Sequence, residues 1–211
     1  MKRHVLFISV LCITLSLMGC AFGRKIPYEN MKVTLNGPAI QPAALCVIDS
    51  REMVIDKSRK SDFVGYTRSG VGIAYPMGTG NGRSFAENIQ EAIARSLANA
   101  GSDIVTVSLP PGTSKPDAQS KILGEHKSRA IVVTLNKMHS DYYSGTIFYY
   151  DVDFDIYDTS GSLILNKNFS KDQSIGGGAW GTGKYKKYTP EYVGNEITFW
   201  LNDPEVRKAL E

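Results

Sequence analysis

The fold of this chain is decided by the stretch TIFYYDVDFDIYD, residues 146–158. Its side chains alternate in character, and successive side chains of an extended chain point to opposite faces. The apolar face is made of Phe148, Tyr150, Val152, Phe154 and Ile156. The other face is made of Tyr149, Asp151, Asp153, Asp155 and Tyr157. This pattern predicts a half-buried antiparallel strand, and the turn sequence DTSG at 158–161 predicts that residues 162–171 return beside it as a hairpin.

Upstream of this strand lies the clearest helix of the chain, Phe85 to Ala100. Ser84 and Glu87 stand at the spacing of a capping box, and Gly101 follows where helices commonly end. Between these signals apolar residues recur every three to four positions, which gives the helix a single apolar stripe. The stripe predicts that the helix packs against a sheet.

The other segments complete a mixed sheet covered by helices. We predict a strand at 44–49, buried strands at 103–109 and 130–135, a hairpin over 63–75 that turns at Ser69-Gly70, and a weaker helix over 117–126. The last helix is predicted to begin with Thr189 as N-cap and Pro190 at its first position, followed by a final turn over 203–210. The element order indicates an α/β (α+β) fold: one globular domain over 44–211, an antiparallel C-terminal hairpin, and helices mainly on one face of the sheet.

The N-terminal residues 1–19 have the pattern of a secretory signal peptide. Lys2 and Arg3 precede an apolar run over residues 5–19, shorter than the roughly 20 residues that a membrane-spanning helix needs. The segment LMGC at 17–20 resembles a bacterial lipobox, and this resemblance implies cleavage before Cys20 and attachment of lipid to it. Ala21, where an inner-membrane retention signal would have Asp, favours the periplasmic face of the outer membrane. Ordinary secretion and an uncleaved anchor are the alternatives.

Residues 20–43 are predicted to form a lipidated tether that adds at most an edge strand, because prolines and glycines separate their few apolar positions. Cleavage before Cys20 would remove Lys2 and Arg3 and leave 22 basic and 21 acidic side chains, a formal charge of +1. This balance is not the strongly basic footprint of a nucleic-acid-binding protein. Cys46 lies in an apolar run and is expected to be a buried core thiol without a disulfide partner.

The chain resembles the YajG-like family of bacterial lipoproteins. The resemblance is carried by the lipobox at Cys20, the strand end 47–51 followed by Val64-Gly65, the two main helices, and the ending 192–210 with Asn202-Asp203-Pro204. It implies an envelope lipoprotein and brings little chemistry with it. The Gly-rich segment over 176–184 departs from the compact link between strand and helix that is usual in that family.

Two glycine clusters resemble phosphate-binding motifs, but each lacks a residue that its motif requires. Residues 178–184 match the first seven positions of a phosphate-binding P-loop, but Tyr185 stands where a Ser or Thr hydroxyl would meet magnesium. Residues 78–82 precede a helix, yet they lack the third glycine of a dinucleotide-binding motif. We therefore expect no nucleotide cofactor.

The candidate metal and catalytic groups are also poorly spaced. Alternate residues of a strand lie about 6.5–7 Å apart, too far for one ion to collect Asp151, Asp153 and Asp155. His126 and His139 form no closely spaced ligand pair, and in His139-Ser140-Asp141 strand neighbours point to opposite faces. Asp49 and Arg51 are expected to form a structural salt bridge. The chain is therefore predicted to hold no metal and not to be an enzyme.

The candidate binding site is the loop over 176–188, where aromatic and basic side chains stand among glycines. Its candidate residues are Trp180, Lys184, Tyr185, Lys186, Lys187 and Tyr188. Tyr and Trp combine an apolar ring with a polar tip and are frequent in interfaces. The competing interpretation is that Trp180 covers the domain's own core and the lysines are solvated. Tyr142 and Tyr143 form a second, weaker aromatic patch.

These observations predict a lipid-anchored, non-catalytic interaction or assembly module of the bacterial cell envelope. Its lipid would bind the membrane, and its surface would bind an envelope protein. The alternative is a glycan- or lipid-binding module that uses Trp180 and the nearby lysines on peptidoglycan or lipopolysaccharide. A concave pocket lined by aromatic rings would favour this alternative, and a flat apolar patch would favour a protein partner. The sequence sets no oligomeric state.

Overall fold

The computed structural model describes residues 24–176 and 184–211, so the predicted signal peptide 1–19, Cys20 and Trp180 lie outside the described residues. The strands are β1 (Lys25–Ile26), β2 (Ala43–Asp49), β3 (Phe63–Arg68), β4 (Ala74–Thr79), β5 (Ile104–Thr106), β6 (Arg129–Tyr142), β7 (Thr146–Tyr157) and β8 (Leu163–Ser174). The helices are α1 (Glu52–Ile55), α2 (Phe85–Asn99), α3 (Lys115–Leu123), α4 (Tyr185–Leu201) and α5 (Pro204–Leu210). None of these helices is long and apolar enough to cross a membrane.

The strands form one mixed sheet of eight, centred on β6. β7 pairs antiparallel with β6 along most of its length, and β8 pairs antiparallel with β7. On its other edge β6 pairs in parallel with β2 near its start and with β3 near its end. β5 extends the sheet beyond β2, whereas β4 and β1 extend it beyond β3. The predicted α/β (α+β) class and the antiparallel C-terminal hairpin are confirmed.

Two apolar cores lie on the two faces of this sheet. The larger core joins the apolar face of β7 to α2, α4 and α5, with Ile93 and Trp200 fully buried in it. The smaller core lies under α3 and contains Ala44, Cys46, Ile48, Ala118, Ile122, Ala130, Val132 and Tyr157. Residues 130–135 are therefore buried on both faces, as predicted, and Cys46 is a buried thiol. The prediction that helices cover mainly one face is confirmed, with α3 as the exception.

The local signals around α2 and the first hairpin have the predicted structure. Ser84 Oγ accepts a hydrogen bond from the Glu87 amide at 3.1 Å, and the Glu87 carboxylate accepts one from the Ser84 amide at 2.8 Å. Gly101 follows the helix at a φ of +91°, a conformation that favours glycine. β3 and β4 form the predicted hairpin around a loop over 69–73.

The strand predicted over 103–109 is wrong in its length and its burial. β5 spans three residues, of which Ile104 and Val105 are half-buried and Thr106 is exposed. Among the described strands β5 pairs with β2 alone, so it forms an edge of the sheet. The apolar residues that follow β5 do not extend the strand. Val107 and Leu109 pack instead against the smaller core.

The segment over 24–42, predicted to be a tether, lies against the domain. Its apolar side chains, Ile26, Tyr28, Met31, Leu35 and Ile40, are buried in the larger core. Polar contacts reinforce this packing, since the amide of Thr34 donates to the Thr198 hydroxyl at 3.1 Å. The predicted edge strand exists as β1, paired in parallel with β4. Single apolar residues between prolines show no periodicity, which is why the sequence does not display this contact.

Candidate functional site

The structure places the predicted loop residues on a helix. Tyr185, Lys186, Lys187 and Tyr188 form the first turn of α4, and Lys184 is its N-cap residue. Trp180 lies outside the described residues. The prediction that the helix begins at Thr189 with Pro190 at its first position is wrong.

Pro190 is instead the sixth residue of α4. Proline has no N–H, so the carbonyl of Lys186 lacks its usual donor four residues on. The loss of one hydrogen bond is offset by packing, because the turn before Pro190 buries Tyr185 and half-buries Tyr188. Tertiary contacts thus allow the helix to begin four residues before Thr189, where local sequence rules would start it.

Tyr185 ties this first turn to the sheet and to the start of the described chain. Its side chain is buried, and its ring centroid lies 4.9 Å from that of Tyr142 at the end of β6. Its hydroxyl accepts a hydrogen bond from Arg24 Nη1 at 3.2 Å, and the Arg24 guanidinium also lies 5.7 Å from the ring centroid. Tyr185 is therefore a packing residue with its ring turned inward.

Tyr188 is also turned toward the domain. Its hydroxyl shares a hydrogen bond with the hydroxyl of Thr146 at the start of β7. Burial raises the pKa of Tyr188 above its ordinary value. Of the second predicted aromatic patch, Tyr142 is buried and Tyr143 is exposed. Tyr185 is buried and Tyr188 is half-buried, so neither is a fully exposed ring of the kind on which sugars commonly stack.

The lysines of the same turn border a groove of about 660 Å³. One wall is the segment over 27–32 and the other is α4. The lining residues are Pro27, Asn30, Lys32, Lys186, Lys187, Pro190, Glu191 and Asn195. Three ammonium groups face one carboxylate in this lining, so the groove carries a net positive charge. Lys186 and Lys187 are exposed, and neither forms an ion pair within residues 24–176 and 184–211.

Sequence reasoning missed one wall of this groove. Lys32 and its neighbours belong to the segment predicted as a tether, and nothing local links them to residues 160 positions later. The close approach is made at Gly194, where an added Cβ would lie 2.4 Å from the carbonyl oxygen of Lys32. A glycine inside a helix is a signal for such contact, although it does not name the partner segment.

The histidine motif of β6 forms no catalytic relay. Ser140 is buried and lies against the Val64 carbonyl, whereas Asp141 pairs with Arg68 through both carboxylate oxygens. The His139 ring stacks on Tyr149 at a centroid distance of 4.9 Å. Burial, with the nearby charges of Lys137 and Arg51, lowers the pKa of His139 to about 4. His139 is therefore neutral near pH 7.

The salt bridge predicted between Asp49 and Arg51 is confirmed. Arg51 Nε and Nη2 donate to the two oxygens of Asp49 at 2.8 and 2.7 Å, and both side chains are at most 3% exposed. Arg51 Nη1 donates further to the carbonyls of Phe63 at 2.7 Å and Met138 at 3.2 Å. One buried guanidinium thus joins the end of β2 to β3 and β6.

The aspartates of β7 belong to a network with lysine and asparagine. Lys115 Nζ lies 2.7 Å from Asp155 and 3.0 Å from Asp153. Burial acts to raise the pKa of Asp153, but hydrogen bonds from Asn168 and Asn136 and the Lys115 ammonium outweigh it and lower that pKa. In the described part of the chain, no three His, Cys, Asp or Glu side chains cluster as metal ligands. Asp155 departs from the half-buried pattern predicted for this strand, because it lies on the polar face and is nevertheless buried, with Lys115 of α3 beside it.

No protein-family model matches this chain, and no curated protein matches it. Several solved structures are similar in fold. A Xanthomonas campestris protein of the family DUF330 has a TM-score of 0.49 at 10% identity, covering 85% of this chain and 93% of its own. The PelC dodecamer from Paraburkholderia phytofirmans has a TM-score of 0.44 at 10% identity, covering 82% and 92%. Lipoprotein GNA1162 from Neisseria meningitidis has a TM-score of 0.28 at 12% identity, covering 77% and 99%. At such identities and TM-scores these comparisons show no family for this chain, and the YajG-like family stays a prediction.

Proposed function

We propose that this chain is a lipid-anchored, non-catalytic interaction module of the bacterial cell envelope, held at the periplasmic face of the outer membrane through Cys20. Its partner is an envelope protein that docks an acidic segment in the groove between residues 27–32 and α4. The observation that carries this proposal is the groove itself, with Lys32, Lys186 and Lys187 on its walls.

The shape and charge of the groove suit a peptide segment. Its volume of about 660 Å³ lies in the range of specific ligand sites, and its two prolines supply apolar surface beside the charges. A single exposed ion pair contributes only about 0–1 kcal/mol, so recognition here depends on several pairs forming together with apolar contact. Clustered lysines also speed the approach of an acidic partner.

The glycan-binding alternative receives less support from the same groove. Sugar binding commonly uses exposed aromatic rings, and the described lining contains none. Tyr185 and Tyr188, which the alternative needs, are committed to contacts inside the domain.

The test is crosslinking of the lipidated, tagged protein in intact cells, followed by mass spectrometry. The groove variant Lys186→Glu/Lys187→Glu keeps the helix start favourable, because carboxylates near a helix N-terminus are stabilising. The matched control is Lys121→Glu/Lys208→Glu, which reverses two exposed helical lysines outside the groove lining. We expect a stoichiometric protein partner that is lost in the groove variant and retained in the control.

Two results would contradict the proposal. A partner that survives in the groove variant removes the groove as its site. Recovery of no protein above background from the unaltered chain removes the protein partner, and binding to purified peptidoglycan or lipopolysaccharide then becomes the leading function. The anchor is tested separately by the mass of the mature protein, which should begin at Cys20 and carry acyl chains.

A further inference from the structure

The most exposed large apolar side chain of the described residues, Val71, stands with three others at one end of the sheet. This hairpin end is where β3, β6 and β8 finish and β4 and β7 begin. Val71 is 82% exposed and Ile73 is 56% exposed in the β3–β4 loop, and Tyr143 and Ile147 are exposed beside them. Apolar side chains gathered at one end of a domain indicate a surface that another phase or molecule covers.

The loop that carries Val71 and Ile73 has a defined shape. The amide of Ser69 donates to the carbonyl of Ile73 at 2.9 Å. The amide of Gly72 donates to the carbonyl of Ser69, also at 2.9 Å. Gly72 has a φ of +86°, which favours glycine. The hydroxyl of Tyr143 donates to the Gly70 carbonyl at 3.2 Å and so joins this loop to the β6–β7 turn. The two loops therefore present one continuous surface.

The described chain begins beside Gly78 and Thr79, the last residues of β4. β1 runs parallel to β4, so its first residue is directed toward the end at which β4 begins. Arg24 contacts Tyr185, whose ring packs on Tyr142, the last residue of β6. Cys20 is only four positions before Arg24, and four residues span at most about 14 Å. That reach is long enough for a lipid on Cys20 to lie at this end of the domain.

The charge around the hairpin end suits an anionic lipid surface. Lys184, which does not line the groove, is the N-cap residue of α4, and the first turn of that helix packs against the end of β6 through Tyr185. Asp141, at the same end, already binds Arg68. Basic side chains near a membrane are attracted to anionic headgroups, and apolar side chains of a loop can enter the interface between headgroups and acyl chains.

We propose that the hairpin end of the domain lies against the bilayer that holds Cys20, with Val71 and Ile73 in the lipid interface. This inference rests on the proposed lipid anchor and adds an orientation to it. The opposite end of the sheet serves as an internal reference, because Leu163 is 54% exposed there. Leu163 pairs with Tyr157, about 34 Å along β7 from Ile147.

The test measures the depth of labels in the full lipidated protein, reconstituted in vesicles of phosphatidylethanolamine and phosphatidylglycerol. Val71→Cys and Leu163→Cys are each labelled with an environment-sensitive fluorophore, and a quencher is carried on the lipid acyl chains. Burial raises the pKa of the Cys46 thiol to about 12, so the unaltered chain provides the unlabelled control. We expect at least about threefold stronger quenching at position 71, because interfacial side chains enter about 5–10 Å into the headgroup boundary.

Equal quenching at the two positions in acylated protein would overturn this inference and leave the anchor intact. A mature protein without acyl chains would contradict the anchor, and the orientation with it. A label at position 71 that escapes the lipid quencher but crosslinks to a protein in intact cells would also overturn the inference, since it assigns the hairpin end to a protein interface.

Discussion

The Asp49–Arg51 pair and the lysines at the start of α4 are both clusters of charged side chains, but the first is buried and paired whereas the second is exposed and forms no ion pair among the described residues. Every donor group of the Arg51 guanidinium finds an acceptor inside the protein, on Asp49 or on backbone carbonyls. Lys186 and Lys187 instead face an open groove. The comparison teaches that a charge satisfied within the domain serves the fold, whereas a charge held out to solvent beside a concave surface is free to serve recognition.

The largest effect that would test this comparison is the loss of the buried guanidinium. Arg51→Ala leaves the carboxylate of Asp49 buried without its partner, and we expect the free energy of unfolding to fall by about 3–5 kcal/mol. Urea denaturation measures this change. Arg83→Ala is the matched control, because Arg83 pairs with Glu91 at 2.7 Å on the exposed surface. That control should cost at most about 1 kcal/mol, and equal losses in the two variants would contradict the distinction between buried and exposed pairs.

A second prediction concerns His139, which feels the positive charge of Arg51. Its pKa is about 4 in the folded state and about 6.5 in the unfolded chain, so between these values the unfolded chain binds more protons. The stability that His139 contributes is present above pH 6.5 and is lost as the pH falls toward 4. We expect a loss of about 1–2 kcal/mol between pH 7 and pH 5.

The measurement is urea denaturation at both pH values. His139→Phe keeps a ring beside Tyr149 and should remove this part of the pH dependence. His126→Gln alters an exposed histidine and should keep it. The prediction is wrong if the His139 variant loses as much stability on acidification as the unaltered chain does.

A third prediction addresses the wall of the groove. Gly194→Ala would place a Cβ 2.4 Å from the carbonyl oxygen of Lys32, so the segment over 27–32 must move away from α4. We expect a loss of about 1–3 kcal/mol in the free energy of unfolding, as is usual for overpacking, together with weaker crosslinking of the partner. Gly70→Ala is the control, since nothing lies within 4 Å of its added Cβ, and it should change stability by less than about 0.5 kcal/mol. An unaltered stability in Gly194→Ala would show that this contact does not hold the wall in place.

The parts of the fold that the sequence predicts are those with local signals. Alternation over 146–158, the capping box at Ser84 and Glu87, and the β-branched run 130–135 each involve residues that interact with near neighbours. The segment over 24–42 gives no such signal, because its buried side chains reach α2 and α4 across more than 50 positions of sequence. The same is true of the candidate site. Its lysines are visible in the sequence, but the wall that turns them into a groove comes from that distant segment.

The start of α4 illustrates a second reason for error. Thr189 followed by Pro190 is a favourable N-terminal signal, and local rules rank it above Lys184, which makes no side-chain cap. The packing of Tyr185 on Tyr142 decides the outcome instead. Four candidate residues that were predicted to lie in a loop therefore lie in a helix, and the two tyrosines among them pack against the domain. Among the described candidates, only the lysines remain available for contact with a partner.

The smallest expected effect on stability sharpens the comparison most. Lys186→Glu/Lys187→Glu reverses two charges that the domain does not use internally, so the free energy of unfolding should change by no more than about 0.5 kcal/mol. Placement of carboxylates in the first turn of α4 even favours a small gain. Urea denaturation of this variant beside the unaltered chain measures the difference. A loss comparable to that of Arg51→Ala would mean that these lysines serve the fold, and their exposure beside the groove would no longer support recognition. Unchanged stability combined with a lost partner would show that these lysines serve recognition, whereas the buried Asp49–Arg51 pair serves the fold.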